Sequence, residues 1–176
     1  MHAVLENTAR CIRDMGGFSQ VSLEETLNIA HRYSEEYAAE RFSQLDSQRI
    51  SYLFRRNMKE LDMIVQELWM ELRDSLFSPT GFEVSFGGGE GLPAIAIPNN
   101  SMNAILRGFV DRVDTWNTSG SSYYRVVDYK TGKKDFDYCD VFNGVGLQML
   151  LYMFALRNSG DEMLGKHPVP AGVQYF

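Results

Sequence analysis

The chain has 176 residues, 44% of them hydrophobic, enough to bury one full core and consistent with a single domain over 1–176. A net charge of −6 gives no hint of an overall nucleic-acid-coating surface, although divalent ions can bring a phosphate to acidic ligands. Cys11 and Cys139 lie far apart with no CxxC spacing and read as idle thiols of a reducing cytosol, not as a disulfide or zinc site.

Residues 3–15 carry Val4, Leu5, Ala9 and Ile12 on a helical face closed by Gly16-Gly17. Ser22 with Glu25 forms a capping box and opens a helix to about Phe42. The strongest helical period runs from Gln48 to about Leu76, through Ile50, Leu53, Phe54, Leu61, Ile64, Val65, Leu68, Trp69 and Leu72, and reads as core packing. His31 reads as a surface histidine. Ser78-Pro79-Thr-Gly81 breaks the period, and Phe82–Phe86 alternates as a strand followed by a turn at Gly87-Gly-Gly89. That glycine run lacks the Lys-Ser/Thr and helix of a phosphate loop. A short strand over Ala94–Pro98 turns at Asn99-Asn100. Ile105–Trp116 and Tyr123–Lys130 are two longer strands joined by Asn117-Thr-Ser-Gly120, followed by a polar loop over Lys133–Asp140. A crossover helix over Val141–Asn158 leads to a last strand at 171–176.

The chain therefore divides into a mostly helical part, 1–76, and a sheet with a crossover helix, 80–176. Its longest apolar run, Val145–Leu156, contains Gln148 and is too short to span a bilayer. With no signal-peptide pattern, a soluble cytoplasmic domain without membrane contact is expected. Both ends read as cut from a longer protein.

Ionisable groups stand where strands normally place Val or Ile. Side-chain alternation sends Asp128 and Lys130 to one face and Tyr129 to the other. If the two strands pair as a hairpin, Asp111 joins that cluster. Two carboxylates would repel each other, and a magnesium ion between them removes that penalty. Lys130 can then orient or deprotonate a water or neutralise charge on the phosphate. A solvated Asp-Lys pair at a strand edge is the competing reading. Gln148 and Tyr152, four apart on one helix face, place an amide in a segment that otherwise reads as buried, where it needs partners. A boundary Gln beside a packed Tyr is the alternative. Glu83, between Phe82 and Val84, points outward by alternation, and His2 is a neutral imidazole near a terminus. Arg107, Arg112, Arg125, Lys133 and Lys134 form a candidate phosphate-facing rim.

Taken together, Gly108-Phe-Val-Asp111-Arg-Val-Asp114, Val126-Val-Asp128-Tyr-Lys130-Thr-Gly132 and Gly146-Leu-Gln148-Met-Leu-Leu-Tyr152 resemble the PD-(D/E)XK nuclease superfamily. More narrowly, they are similar to its RecB-type branch, as found at the C-terminal end of bacterial AddB-like helicase–nuclease subunits. The GxxD, DxK and QxxxY elements carry the resemblance, with His2-Ala-Val-Leu-Glu6, Phe82–Phe86 and Pro170–Phe176 matching around them. It implies an α/β (α+β) restriction-endonuclease-like core, a mixed sheet in α-β-β-β-α-β order with an N-terminal helical extension. It also implies that His2, Asp111, Asp128 and the Tyr129 carbonyl hold Mg²⁺ or Mn²⁺. By the same resemblance Lys130 activates or orients water, Gln148 and Tyr152 support the site or touch DNA, and Glu83 is an outer ligand or water contact. Relatives of this type carry an iron–sulfur cluster on four cysteines. Neither Cys11 nor Cys139 sits at those positions, so no cluster is expected in this chain, while the full-length protein has room for one.

Two functions follow from that resemblance. One is a Mg²⁺-dependent exonuclease module, working on DNA with the helicase domains of its parent chain and a partner helicase–nuclease subunit during double-strand-break processing and recombinational repair. The other is a catalytically silent nuclease fold that grips DNA ends or docks partners.

Overall fold

The computed structural model describes residues 1–42, 48–87, 91–97, 104–130, 137–144, 146–159, 161–165 and 167–176. These form two compact units, Met1–Ser78 and Pro79–Phe176. No helix among the described residues is long and apolar enough to cross a membrane.

In the first unit, α1 (His2–Asp14) buries Val4, Leu5, Ala9 and Ile12, the face that its spacing predicts. Thr8 lies on the same buried face because its hydroxyl donates to the Val4 carbonyl at 2.7 Å. Gly16 and Gly17, at φ 104° and 99°, end the helix in a conformation that costs other residues strain. Ser22 Oγ accepts from the Glu25 N–H at 3.2 Å and opens α2 (Leu23–Phe42). In α3 (Gln48–Arg73), Leu61, Val65, Leu68 and Leu72 are buried at helical spacing. The Trp69 indole donates to the Val21 carbonyl at 2.8 Å, tying α3 to the turn before α2. His31 pairs with Asp62 between these two helices, half-exposed. The side chains of Ile50, Leu53 and Phe54 lie outside the described residues.

The second unit is built on a sheet of order β1-β4-β5-β6, from β1 (Ser78–Phe86), β4 (Gly108–Asn117), β5 (Ser122–Asp128) and β6 (Pro168–Tyr175). β4 and β5 are antiparallel and β5 and β6 parallel, so the sheet is mixed as expected. The prolines fall on its two edges, Pro79 in β1 and Pro168 and Pro170 in β6, where a missing N–H is tolerated. Ser78–Gly81 is thus strand rather than a break before one. Past Pro170 the β5–β6 register shifts, from Tyr124 opposite Pro170 to Arg125 opposite Gly172.

Three boundaries differ from the sequence reading. The expected strand over Ile105–Trp116 is interrupted at Arg107. β3 (Ala104–Leu106) pairs with β2 (Ile95–Ile97) in a separate antiparallel hairpin, and β4 begins afresh at Gly108. The expected helix over Val141–Asn158 is split, because Gly144 and Gly146 sit at φ 79° and 70°. α4 (Tyr138–Phe142) precedes them, opened by Asp137, whose carboxylate accepts from the Cys139 N–H, and α5 (Gln148–Ser159) follows. α6 (Asp161–Leu164) then leads to β6, which starts at Pro168 instead of 171. The Asn99-Asn100 turn, Gly88-Gly89 and Lys133-Lys134 lie outside the described residues.

α5 and α6 cover one face of the sheet. Beneath them Phe86, Val110, Val113, Tyr124, Val126, Met149, Tyr152, Leu156 and Leu164 form the core. Val113 and Val126 stand directly opposite each other, each contributing roughly 1.5–3 kcal/mol by leaving water. The buried Tyr124 hydroxyl donates to the Met153 carbonyl at 2.7 Å and pins α5 to β5. Burial pushes that phenol up to about 12.

Candidate metal centre

The β4–β5 register pairs Arg112 with Val127 and Val113 with Val126. Continued by one residue toward the open end of the hairpin, it sets Asp111 beside Asp128. Just past β5, Asp111 Oδ2 accepts the Tyr129 N–H at 2.8 Å, which fixes this carboxylate against the end of the neighbouring strand. Lys130 Nζ lies 2.5 Å from Asp128 Oδ2, so Asp128 and Lys130 share a face while the Tyr129 ring takes the other. Asp111, Asp128 and Lys130 are therefore brought together.

Glu83 is exposed, as its outward direction implies, yet it also approaches Asp111. Its backbone is left-handed, φ 46°, in the middle of β1, and both Gly81 and Phe82 before it are buried, so alternation fails there. The result is a carboxylate oxygen within 4.8 Å of one from Asp111. A non-glycine residue held at positive φ stores strain, and here the distortion aims an acid at an acid. Asp128 is not drawn into the same close group. Its Oδ2 is buried and is engaged by Lys130 Nζ instead. The paired carboxylates of Glu83 and Asp111, with Asp128 beside them on the neighbouring strand, are a donor set that fits a hard divalent cation, which takes oxygen ligands in flexible number.

Contact with the Asp128 carboxylate is the main cause that raises the Lys130 pKa above the ordinary lysine range. Partial burial opposes it, and the charges of Asp128, Asp111 and Tyr175 add to it. Lys130 is thus a firm ammonium at neutral pH, suited to donating hydrogen bonds and neutralising charge rather than to accepting a proton.

Gln148 is not the buried amide its neighbours suggest. It is the first residue of α5, exposed, and its amide donates to the Tyr152 hydroxyl one turn on. Tyr152 itself is buried, its ring edge-on to Phe86 with centroids 4.9 Å apart. That packing corrects the expectation of a direct Tyr152–DNA contact, since the ring belongs to the core. Gly108 explains how the ring fits. A Cβ there would stand 3.0 Å from both the Phe86 ring and the Tyr152 hydroxyl. The first residue of GxxD and the last of QxxxY are one packing unit.

Arg112 is a second correction. Expected to meet DNA, it is fully buried on the face away from α5. Its Nε lies 2.8 Å from Asp114 Oδ1, its Nη2 donates to Asp114 Oδ2 at 3.0 Å, and its Nη1 donates to the Tyr129 hydroxyl at 3.1 Å. Arg125 reaches Asp114 Oδ2 at 2.8 Å, so it too is drawn inward. Residues 112, 114 and 125 share a face once the register is known, which was the available signal. His2 opens α1 in the first unit.

The profile of the PD-(D/E)XK nuclease superfamily matches residues 1–176. The chain belongs to the PD-(D/E)XK nuclease superfamily. Among curated proteins, it is 33% identical over 183 aligned residues to an ATP-dependent helicase/deoxyribonuclease subunit of Clostridium novyi (strain NT), an alignment covering 100% of this chain and 16% of that protein. The subunit of the same name in Oceanobacillus iheyensis is 31% identical over 180 residues, covering 99% of this chain and 15% of the relative. That of Acetivibrio thermocellus is 39% identical over 118 residues, 65% of this chain and 10% of the relative. The PD-(D/E)XK chain thus spans at most 16% of the length of these three relatives.

Proposed function

We propose that this PD-(D/E)XK chain is a Mg²⁺- or Mn²⁺-dependent deoxyribonuclease module, an exonuclease acting on DNA ends in double-strand-break processing and recombinational repair. The observation that carries the reading is the register that sets Asp111 beside Asp128, with Lys130 held against the second. Asp111, Asp128 and the Tyr129 carbonyl are the proposed ligands, with Glu83 as an outer ligand or water contact. His2 is proposed as a further ligand on the strength of the His2-Ala-Val-Leu-Glu6 sequence match alone. A bound divalent ion would polarise a phosphate oxygen and acidify the attacking water. Lys130, protonated, donates to the phosphate and offsets the charge that builds up there. Asp111 keeps its orientation through the Tyr129 N–H. Gln148, exposed at the start of α5, is proposed to meet the DNA strand, with Tyr152 bonded to its amide from the core.

The relatives' shared name, which joins a helicase to a deoxyribonuclease, supports helicase domains in the parent chain, a partner helicase–nuclease subunit, and a bacterial cytoplasmic setting. Both compact units are proposed to serve one nuclease module. DNA digestion tests this directly. Cleavage that needs Mg²⁺ and disappears in Asp128→Ala and Lys130→Ala is the expected result. DNA binding without cleavage, unchanged by EDTA and by Asp128→Ala, would instead establish the catalytically silent module.

A further inference from the structure

Tyr129 is the residue through which the two faces of the hairpin touch. Its backbone N–H holds the Asp111 carboxylate on the metal-centre side, and its hydroxyl accepts from Arg112 on the opposite side. The residues flanking it are fixed by the 176 end of the last strand, where the Phe176 N–H donates to the Asp128 carbonyl at 3.0 Å and the Lys130 N–H donates to the Phe176 carbonyl at 2.9 Å. The N–H and C=O of one extended residue point the same way, so Tyr129 directs its carbonyl toward the Asp111 side. Its ring stands edge-on to Phe176 at 5.7 Å, and the Arg112 guanidinium lies 5.7 Å from both ring centroids. Arg112 is in turn gripped by Asp114 at two contacts. The contacts of Tyr129 with Asp111, Arg112 and Phe176 all converge on the segment that spaces the carboxylates.

We propose that Arg112 is a positioning residue, which through the Tyr129 hydroxyl and ring sets the backbone of residues 128–130 and thereby the spacing of Asp111 and Asp128 in the metal site. The inference rests on the metal-dependent reading above. A displacement of the Tyr129 backbone moves its N–H off Asp111 and shifts its carbonyl as well, so one lost contact behind the sheet disturbs two groups in front. Supports of this kind around a metal site are worth about tenfold or more in affinity.

The test is a Mn²⁺ titration by calorimetry, paired with the Mn²⁺ electron paramagnetic resonance spectrum, on the wild type, Tyr129→Phe, Arg112→Lys and Tyr124→Phe. Tyr129→Phe removes a single oxygen atom and keeps the ring, so it carries the test even where Arg112→Lys fails to fold. Tyr124→Phe removes a hydroxyl from the same strand, one that bonds to α5 instead. Mn²⁺ affinity about tenfold weaker with an altered spectrum in Tyr129→Phe, and neither change in Tyr124→Phe, is the expected result. Equal affinity in Tyr129→Phe and wild type would overturn the positioning role alone. Equal weakening in Tyr124→Phe would overturn it as well, by reducing the effect to general stability. A folded wild type that binds no Mn²⁺ would remove the metal reading and this inference with it.

Discussion

Behind the β4–β5 hairpin, Arg112, Asp114 and Arg125 bury their charges in direct contacts of 2.8–3.0 Å centred on one carboxylate. In front, on alternate residues of the same strands, Asp111 approaches Glu83 of β1, and Asp128 is held at 2.5 Å by the exposed Lys130. Charge in a Val-rich strand is common to both faces, so charge alone does not mark the functional one. The front face differs in its exposure, with Glu83 and Lys130 open to solvent, and in its excess of acid over base. Its groups are arranged for a cation and a phosphate, whereas the rear carboxylate is already bracketed by two guanidinium groups.

That contrast is open to mutation, starting where the effect is largest. Asp114→Ala strands the buried Arg112 charge and is expected to lower unfolding free energy by roughly 3–5 kcal/mol in urea denaturation. A loss under about 1 kcal/mol would mean that the rear network is not a structural element. Gly108→Ala presses a methyl against Phe86 and Tyr152 and should cost about 1–3 kcal/mol by the same measurement. Asp128→Asn sits at the opposite extreme. Its partner Lys130 is 34% exposed, so the change in stability is expected to stay within about 1 kcal/mol while metal binding is lost.

Alkali gives the mildest perturbation. Tyr124 is pushed up to about 12 in the fold against about 10 unfolded, so its contribution to stability is complete below pH 10 and fades as pH rises toward 12. Lys130, also raised, adds a loss of the same sign above its ordinary range. Stability followed by circular dichroism should therefore decline from about pH 10 upward, and less steeply in Tyr124→Phe. An unaltered profile in that variant would show that the Tyr124 phenol is not the group responsible.

Much of this arrangement is legible in the sequence alone. Helical stripes such as Leu61, Val65, Leu68 and Leu72 repeat with their own period, and pairing the expected strand ends Trp116 and Tyr123 aligns Asp111 with Asp128 by simple counting. What escapes is set by tertiary context. Arg112 reads as a DNA contact because arginine usually lies outside, and only the pairing of Asp114 with Arg125 shows that its face is filled with partners. Gln148 reads as buried from its apolar neighbours, until the left-handed Gly144 and Gly146 make it the first residue of a helix. Glu83 is exposed as its sequence pattern implies, but its left-handed backbone and its approach to Asp111 are encoded by no side-chain pattern. Gly108 marks the site in the GxxD pattern, but its reason, the ring of Tyr152 pressed against it, lies forty-odd residues away in the chain.

The most direct measurement is Mn²⁺ binding by calorimetry to the wild type and to Asp128→Ala. Saturable binding by the wild type, abolished in Asp128→Ala without unfolding the protein, is the predicted result. Binding of equal strength in both, or none in a folded wild type, would contradict a metal centre built on Asp111 and Asp128.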